Sequence, residues 1–306
     1  MNIEKIHEKY SPPYMADVQV KECGNVAIVK YAERENRTAN ILKINREHYI
    51  ILSTGEYREI EHNKSRIDDI LSVKESMERL RDYLNTNVTD NISQCRWLSL
   101  TYKECMDDPK RLYADFKRFN RRCRQRYGHY EYITAAEPQA RGAWHLHCVL
   151  IFSKRAPFMK NADVAEIWGQ GFVNIRKLNS ISDVGRYLTA YLSDLELSDV
   201  KRKSKVKADQ LKVVEVLENG KKQSKAVVKG ARLALYPRGF HLYRISRGIK
   251  PPTITRMKKY EADKKFADWG LTYETTYKLT DGDFENIINK KYYNRLQGKT
   301  ERGERE

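Results

Sequence analysis

The sequence predicts an α+β fold in which split β-α-β units build an antiparallel sheet of the ferredoxin-like type. Two observations in residues 95–195 support this prediction. Four short segments alternate or concentrate apolar residues, as strands of a half-buried sheet do. Other segments repeat apolar residues every three or four positions, as amphipathic helices do. The resulting order is β-α-β-β-α-β-α, with one helix added after the sheet.

The first strand covers 97–102, where apolar and polar residues alternate. A helix then begins at Pro109, because acidic residues followed by a proline in the first turn are typical of helix starts. Gly128 is expected to end this helix. The remaining elements are predicted as strands over 130–137 and 144–152, a helix over 161–168, a strand over 172–178 and a helix over 182–192.

Composition divides the chain into four ranges, and helical or basic additions flank the predicted sheet of residues 95–195. Residues 1–94 form an N-terminal accessory region, in which 65–85 has helical periodicity. Residues 201–230 hold ten Lys and Arg against three Asp and Glu, so 196–230 are predicted to be a basic linker or arm. Residues 231–306 form a C-terminal accessory region that is a candidate for DNA binding.

The C-terminal region interleaves aromatic residues with arginines around 236–247. Such a segment can stack bases and contact phosphates. It can equally form a helix that packs on the domain of residues 95–195 with its charges outward. The pattern leaves both interpretations open.

The chain is strongly basic, with 58 Lys and Arg against 41 Asp and Glu and a net charge of +17. This excess favours a polyanionic partner, and nucleic acid is the commonest one. A well-solvated surface or an anionic lipid is the alternative. Basic residues are also concentrated on the predicted helix that follows Pro109.

No segment indicates secretion or membrane insertion. The N-terminus lacks the apolar core of a signal peptide, and no apolar run approaches the roughly 18 residues of a membrane span. The five cysteines are scattered and include no Cys-x-x-Cys pair, which argues against a disulfide framework and a zinc ribbon. We therefore expect a cytoplasmic protein with no membrane partner.

His145 and His147 form the motif with the clearest chemical meaning. They lie two residues apart in the predicted strand 144–152, so both imidazoles share one face, which Val149 and Ile151 continue. Glu137 ends the preceding strand, and a hairpin would bring its carboxylate close to His145. An isolated His-x-His pair is more often packed into a sheet, but this carboxylate can complete a metal site.

Tyr187 and Tyr191 lie four residues apart on the last predicted helix, hence on one face. A phenol has a pKa near ~10, so at neutral pH it is a weak nucleophile without assistance. A nearby divalent ion that polarises a phosphate would supply that assistance.

Three segments together resemble the HUH endonucleases. Residues 137–147 resemble their His-hydrophobe-His motif, and Arg186-Tyr-Leu-Thr-Ala-Tyr191 resembles the Tyr-x-x-x-Tyr helix of their phage replication-initiator branch. Residues 97–102 are similar to their first strand. The histidines precede the tyrosines, as in replication initiators and unlike conjugative relaxases. Residues 230–252 are similar, less specifically, to the C-terminal segment of gene II-type initiators.

The resemblance implies that residues 95–195 are a nicking and joining endonuclease domain with an HUH core, in a rolling-circle replication initiator of the phage gene II or gene A type. Such an enzyme cuts a single-stranded origin, which can form a hairpin, and leaves a covalent 5′-phosphotyrosine and a free 3′-hydroxyl. Glu137, His145 and His147 would hold Mn²⁺ or Mg²⁺. Tyr187 would act first, with Tyr191 as its partner.

The implied partners are the origin DNA and the host helicase and polymerase of a bacterial cell, because the chain carries no helicase motor of its own. Relatives often have a lysine three residues after the first tyrosine, where this chain has Ala190, and Arg186 is the candidate to supply the missing charge. The candidate DNA-contact residues are Thr101, Arg118, Arg122, Arg141, Arg186, Arg244 and Arg247.

Alternatives to this function remain open. An HUH-type transposase or mobilisation relaxase would use the same residues on another DNA substrate. A non-catalytic DNA-binding regulator with a structural metal would not need Tyr187 and Tyr191. A non-haem iron oxygenase also uses two histidines and a carboxylate, but such sites occur in double-sheet barrels, and the predicted helices argue against one.

Overall fold

The computed structural model describes residues 2–35, 40–45, 47–60, 70–88, 92–139, 142–178, 185, 195–196, 211–218, 221–228, 232, 235–237 and 240–297. The chain forms two compact units. Unit 1 consists of Met1–Glu22, Val26–Lys64 and Thr253–Glu306, and unit 2 consists of Cys23–Asn25 and Ser65–Pro252.

The elements are numbered in chain order. Those of the N-terminal half are β1 (Asn2–Ile6), β2 (Asp17–Cys23), β3 (Val26–Ala32), β4 (Ile41–Lys43), β5 (His48–Ile51), β6 (Glu56–Glu59), α1 (Ile70–Asn87), β7 (Cys95–Thr101), α2 (Pro109–Tyr127), β8 (Tyr130–Pro138) and β9 (Trp144–Phe152). Those that follow are α3 (Asn161–Trp168), β10 (Val173–Arg176), β11 (Leu195–Glu196), β12 (Leu211–Glu218), β13 (Lys221–Val228), β14 (Tyr243–Ile245), β15 (Thr253–Lys258), α4 (Lys259–Lys265), β16 (Gly270–Asp281) and β17 (Phe284–Asn294).

Unit 1 is built on a six-stranded sheet in which strands from both ends of the chain alternate, in the order β1-β16-β17-β3-β2-β15. One face of this sheet carries an apolar core, in which Val18, Val20 and Val29 pack with Phe266, just after α4. The strands β4, β5 and β6 form a separate small sheet of this unit.

Unit 2 contains a five-stranded sheet in the order β10-β7-β9-β8-β14. Helix α2 connects β7 to β8, and helix α3 connects β9 to β10. Since β9 is antiparallel to both β7 and β8, these two strands run parallel to each other on either side of it. Each helical connection therefore crosses over one intervening strand.

The two faces of this sheet pack against different helices. Leu98, Leu146 and Leu150 are fully buried in one cluster with Leu112 and Phe119 of α2. Alternate residues point the other way, where the ring of Trp97 and the side chain of Val149 pack with Leu80 and Leu84 of α1. A strand places successive side chains on opposite faces, which explains why one strand contributes to both clusters.

The prediction of a mixed α+β fold is confirmed. The predicted strands 97–102, 130–137 and 144–152 correspond to β7, β8 and β9, and the predicted helices correspond to α1, α2 and α3. The N-terminus of α2 has the expected cap, since Asp108 accepts a hydrogen bond of 2.8 Å from the Lys110 backbone N–H and Pro109 follows it. Strand β10 is shorter than the predicted 172–178 because only four of its residues pair with β7. The predicted helix 182–192 lies outside the described residues except for Gly185.

The interpretation of residues 211–228 as a flexible linker is wrong. Strands β12 and β13 pair in register from Leu211 with Val228 to Glu218 with Lys221. The overlooked signal is Asn219-Gly220, a dipeptide typical of two-residue hairpin turns, between two segments with β-branched residues. The basic charge of this segment hid that pattern, and the hairpin is still compatible with a basic arm.

A helix around 236–247 is also a wrong prediction. This segment forms β14, which pairs with β8 at the edge of the sheet. Tyr236 and Phe240 are buried in the core, and the Phe240 ring stacks on Trp144 with 4.6 Å between ring centroids. These two aromatic side chains therefore pack within the protein and are not available to stack bases.

The two units follow other boundaries than the four predicted ranges. Residues of 1–94 and of 231–306 both occur in both units, because β15, β16 and β17 pair with strands from the N-terminus. The division into a nicking domain with accessory regions stays a prediction. None of the described helices is long and apolar enough to cross a membrane.

We predict that Phe240→Ala lowers the free energy of unfolding by about 3–5 kcal/mol, because it leaves a cavity beside Trp144. Phe158→Ala is the matched control, since the Phe158 side chain is 79% exposed and Phe240 only 8%. The control should change stability by no more than about 0.5 kcal/mol. Urea unfolding of both variants measures the difference, and equal losses would contradict the buried position of Phe240.

Candidate functional site

The pairing of three strands brings the predicted metal ligands into adjacent rows. His145 lies directly opposite Thr101 of β7 and Glu137 of β8. One row further along, His147 lies opposite Ser99 and Ala135. Residues directly opposite each other in an antiparallel sheet share a face, so both histidines and the carboxylate lie on the same side.

Both ring nitrogens of His147 have hydrogen-bond partners. The Nε2 atom contacts Oε2 of Glu137, and the Nδ1 atom lies 3.2 Å from Oγ of Ser99. An ionised carboxylate only accepts, so Nε2 carries the proton, and in a neutral imidazole Nδ1 accepts from the Ser99 hydroxyl. Ser99 and Glu137 together fix the orientation of the His147 ring.

Glu137 is a buried carboxylate that stays ionised. Burial opposes its ionisation, but the hydrogen bond and charge of His147, with the charges of Arg232 and His145, outweigh that effect. The pKa of the Glu137 carboxyl is therefore held below its usual value. An anionic ligand is thus available at neutral pH.

Arg232 is the second partner of Glu137 and was not recognised from the sequence. Its Nη1 atom lies 2.6 Å from Oε1 of Glu137 and donates a hydrogen bond of 2.9 Å to the backbone carbonyl of Pro138. No local pattern points to this pair, because Arg232 follows Pro138 by 94 residues. Only the packing of the segment before β14 on the sheet brings the guanidinium to the carboxylate.

The donor set suits a divalent metal ion in chemical terms, since two imidazoles and one carboxylate are common ligands of manganese and related ions. Over the described part of the chain, no group of three or more His, Cys, Asp or Glu side chains is arranged to hold a metal ion. The oxygens of Glu137 are instead directed to His147 and Arg232. A bound ion would have to exchange places with at least one of these contacts.

The histidine-bearing face continues into the contact with α1. His147 lines a small pocket together with Leu80 and Leu84 of that helix. Gly185 also lies against α1, and its backbone N–H donates a hydrogen bond of 2.9 Å to Oδ1 of Asn85. A Cβ atom at Gly185 would lie 2.4 Å from Cγ of Arg81, so the close approach requires glycine.

The predicted DNA-contact residues occupy different places. Thr101 lies beside His145 in the row described above. Arg118 and Arg122 are on α2, which packs on the opposite face of the sheet, and Arg118 forms an ion pair with Asp115. The Arg244 guanidinium lies 3.5 Å from the centre of the Tyr113 ring.

The structure therefore brings Thr101 to the histidines, whereas Arg118, Arg122 and Arg244 lie toward α2. Arg247 is exposed in the loop after β14. The predicted site residues Arg141, Arg186, Tyr187 and Tyr191 lie outside the described residues.

We predict that Arg232→Ala lowers the free energy of unfolding by about 3–5 kcal/mol, because it leaves the buried Glu137 charge without one partner. The matched control is Arg58→Ala, which breaks the ion pair between Arg58 and Glu56. The Arg58 and Glu56 side chains are 52% and 48% exposed, against 13% and 11% for Arg232 and Glu137. The control should cost less than about 1 kcal/mol. If urea unfolding gives the same loss for both variants, Glu137 does not depend on Arg232.

Comparison with known proteins supports a role in replication. Residues 95–196 match the family model for replication-associated proteins of the ORF2 and gene II type. No curated protein matches, and no solved structure does. The match covers β7 to β11, which includes both histidines and Glu137. It supports a rolling-circle replication initiator family, with a replication-related role and DNA as the partner.

Proposed function

We propose that this protein is a rolling-circle replication initiator of the HUH endonuclease type, in the Tyr-x-x-x-Tyr branch, which nicks and rejoins single-stranded origin DNA. The observation that carries the proposal is the row of Glu137 and His145, with His147 beside it, on one face of the sheet. The same residues lie inside the match to replication-associated proteins.

The strand order supports an HUH core. Strand β9 separates β7 from β8, and β7 separates β9 from β10, so both β-α-β connections are split. This is the order of a ferredoxin-like sheet, with β14 added at the edge. In this arrangement the central strands β7 and β9 are neighbours, and β9 carries the histidines at its beginning, next to the end of β8.

Tyr187 and Tyr191 are the proposed nucleophiles. Gly185 packs on α1, the helix that covers the histidine-bearing face, and two further residues of chain span at most about 7 Å. Tyr187 is therefore expected close to that helix. Tyr187 is proposed to act first, and Tyr191 would make the second transfer without release of the DNA.

The proposed reaction exchanges one phosphodiester for another. The phenol oxygen forms a bond to phosphorus, the bond from phosphorus to the 3′-oxygen breaks, and that oxygen takes up a proton as the 3′-hydroxyl. The DNA's 5′ end stays on tyrosine as a phosphodiester, so a later attack by a 3′-hydroxyl rejoins the strand and needs no external energy source.

Glu137, His145 and His147 would hold the metal ion, Mn²⁺ or Mg²⁺. When bound, the ion would polarise the scissile phosphate and stabilise negative charge on its oxygens. Ser99 keeps the His147 ring in place through Nδ1. The low pKa of Glu137 keeps the third ligand anionic at neutral pH.

The remaining assignments belong to the same proposal. Thr101, Arg141 and Arg186 are proposed to contact the DNA near the scissile phosphate, and Arg118, Arg122, Arg244 and Arg247 would contact it further away. The partners would be a host helicase and polymerase in the cytoplasm of a bacterial cell. These follow from the resemblance and from the basic charge of +17.

We predict a covalent adduct between the protein and single-stranded DNA in the presence of Mn²⁺. A pool of oligonucleotides labelled at the 3′ end should give a labelled protein band on a denaturing gel, because tyrosine retains the 5′-phosphate of the downstream fragment. The same pool labelled at the 5′ end should give none. A chelator should abolish the band.

The double variant Tyr187→Phe/Tyr191→Phe should form no adduct. Tyr57→Phe is the matched control and should retain it, since Tyr57 is 56% exposed and lies in unit 1. Survival of the adduct in the double variant would show that the tyrosine assignment is wrong. A protein that binds the pool but gives no adduct would favour the non-catalytic regulator.

We also predict that His147→Ala weakens Mn²⁺ binding by at least about tenfold, which is the usual cost of disturbing even the groups that orient a ligand. Isothermal calorimetry without DNA measures this affinity. His129→Ala is the matched control, because His129 forms an exposed pair with Glu131 at 3.0 Å. Equal Mn²⁺ affinity of the two variants would contradict the metal site.

A further inference from the structure

The six-stranded sheet of unit 1 sorts its charged side chains by face. On β1, β16 and β17 the glutamates Glu4, Glu274 and Glu285 share the face that carries the apolar core with α4. Glu285 contacts Lys278 there, and Nζ of Lys291 lies 3.9 Å from Glu274. The acidic side chains of these strands are thus balanced by lysines of the same face.

The opposite face carries lysines and tyrosines. These residues, called the tyrosine-lysine face below, are Lys5, Lys30, Tyr273, Tyr277, Lys290 and Tyr292. The register establishes that they share a side, because Lys5 pairs with Tyr277 and Lys290 pairs with Lys30. Asp281 also lies on this side, but at the end of β16 beside the hairpin turn.

Lys30 and Lys290 are directly opposite each other on neighbouring strands. Like charges in such a position destabilise a sheet. Neither ammonium group forms an ion pair with another residue that the structure describes. This arrangement costs folding free energy, and a bound polyanion would remove the repulsion.

The tyrosines of this face are accessible. Tyr273 is 49% exposed, and its ring centroid lies 5.6 Å from that of Tyr292. The ammonium group of Lys5 is 6.0 Å from the centre of the Tyr273 ring. Exposed aromatic rings next to cations are the features by which proteins bind single strands, since the rings stack on bases and the cations follow the phosphates.

We propose that the tyrosine-lysine face of unit 1 is a binding site for single-stranded DNA, additional to the histidine-glutamate cluster of unit 2. The lysines meet the phosphates, and Tyr273 with Tyr292 stacks on unpaired bases. A duplex keeps its bases stacked on one another, so the tyrosines favour a single strand. The inference does not depend on nicking, because neither the metal ligands nor Tyr187 and Tyr191 take part.

The test measures binding of fluorescent oligothymidine to the full chain by anisotropy, with a chelator present so that no cleavage occurs. Tyr273→Ala should weaken binding by roughly 5- to 150-fold, the loss of one stacked base, without changing the salt dependence. Tyr57→Ala, on an equally exposed tyrosine of the same unit, is the matched control and should bind like the wild type.

Lys30→Gln/Lys290→Gln tests the charges separately. Losing two phosphate contacts should reduce the slope of log K against log salt concentration by about 1.4. The same double variant should unfold at a higher urea concentration than the wild type, because the repulsion between the two lysines is gone. A pair that served only folding would not combine weaker binding with higher stability.

Equal affinity of Tyr273→Ala and Tyr57→Ala for oligothymidine would overturn the proposal, and so would an unchanged salt slope in the lysine double variant. An equal loss by Tyr273→Ala on duplex DNA of the same length would overturn the preference for single strands. Because the assay contains no active metal, its failure is distinguishable from failure of the proposed nicking function.

Discussion

The pairing of β9 with both β7 and β8 is the constraint on which the site in unit 2 depends. A shift of one residue in this register would move every side chain of β9 to the other face. Leu146, Cys148 and Leu150 prevent such a shift because they are completely buried against α2 and its neighbours. The same packing that stabilises the domain thus holds His145 and His147 on the face of Glu137.

The C-terminal segment before Pro252 is part of this site and not an appendage. Tyr236 and Phe240 pack into the core, β14 extends the sheet, and Arg232 reaches Glu137 in consequence. A buried carboxylate with a low pKa needs such compensation, because burial alone would favour its neutral form. The contact also means that a metal ion at the proposed site and the Arg232 guanidinium act on the same carboxylate, so their effects on Glu137 are coupled.

Unit 1 shows a different use of sheet geometry. Its strands come from both ends of the chain, and the two-residue alternation separates lysines paired with glutamates from lysines that lie among tyrosines and opposite one another. Neutral packing on one face carries the stability, so the opposite face can keep an unfavourable charge pair. A strongly basic protein can in this way concentrate its charge where a single strand would lie.

Local patterns in the sequence determined the elements of residues 95–178 and the faces of β9, because strand and helix periods depend on neighbours in the chain. They also determined that Glu137 is near the histidines, since a short hairpin joins β8 to β9. The tertiary structure alone decided the Arg232 contact, the burial of Tyr236 and Phe240, and the alternation of N- and C-terminal strands in unit 1. These depend on pairings between segments far apart in the chain, and no local pattern of apolar or charged residues specifies which distant partner a strand or side chain will meet.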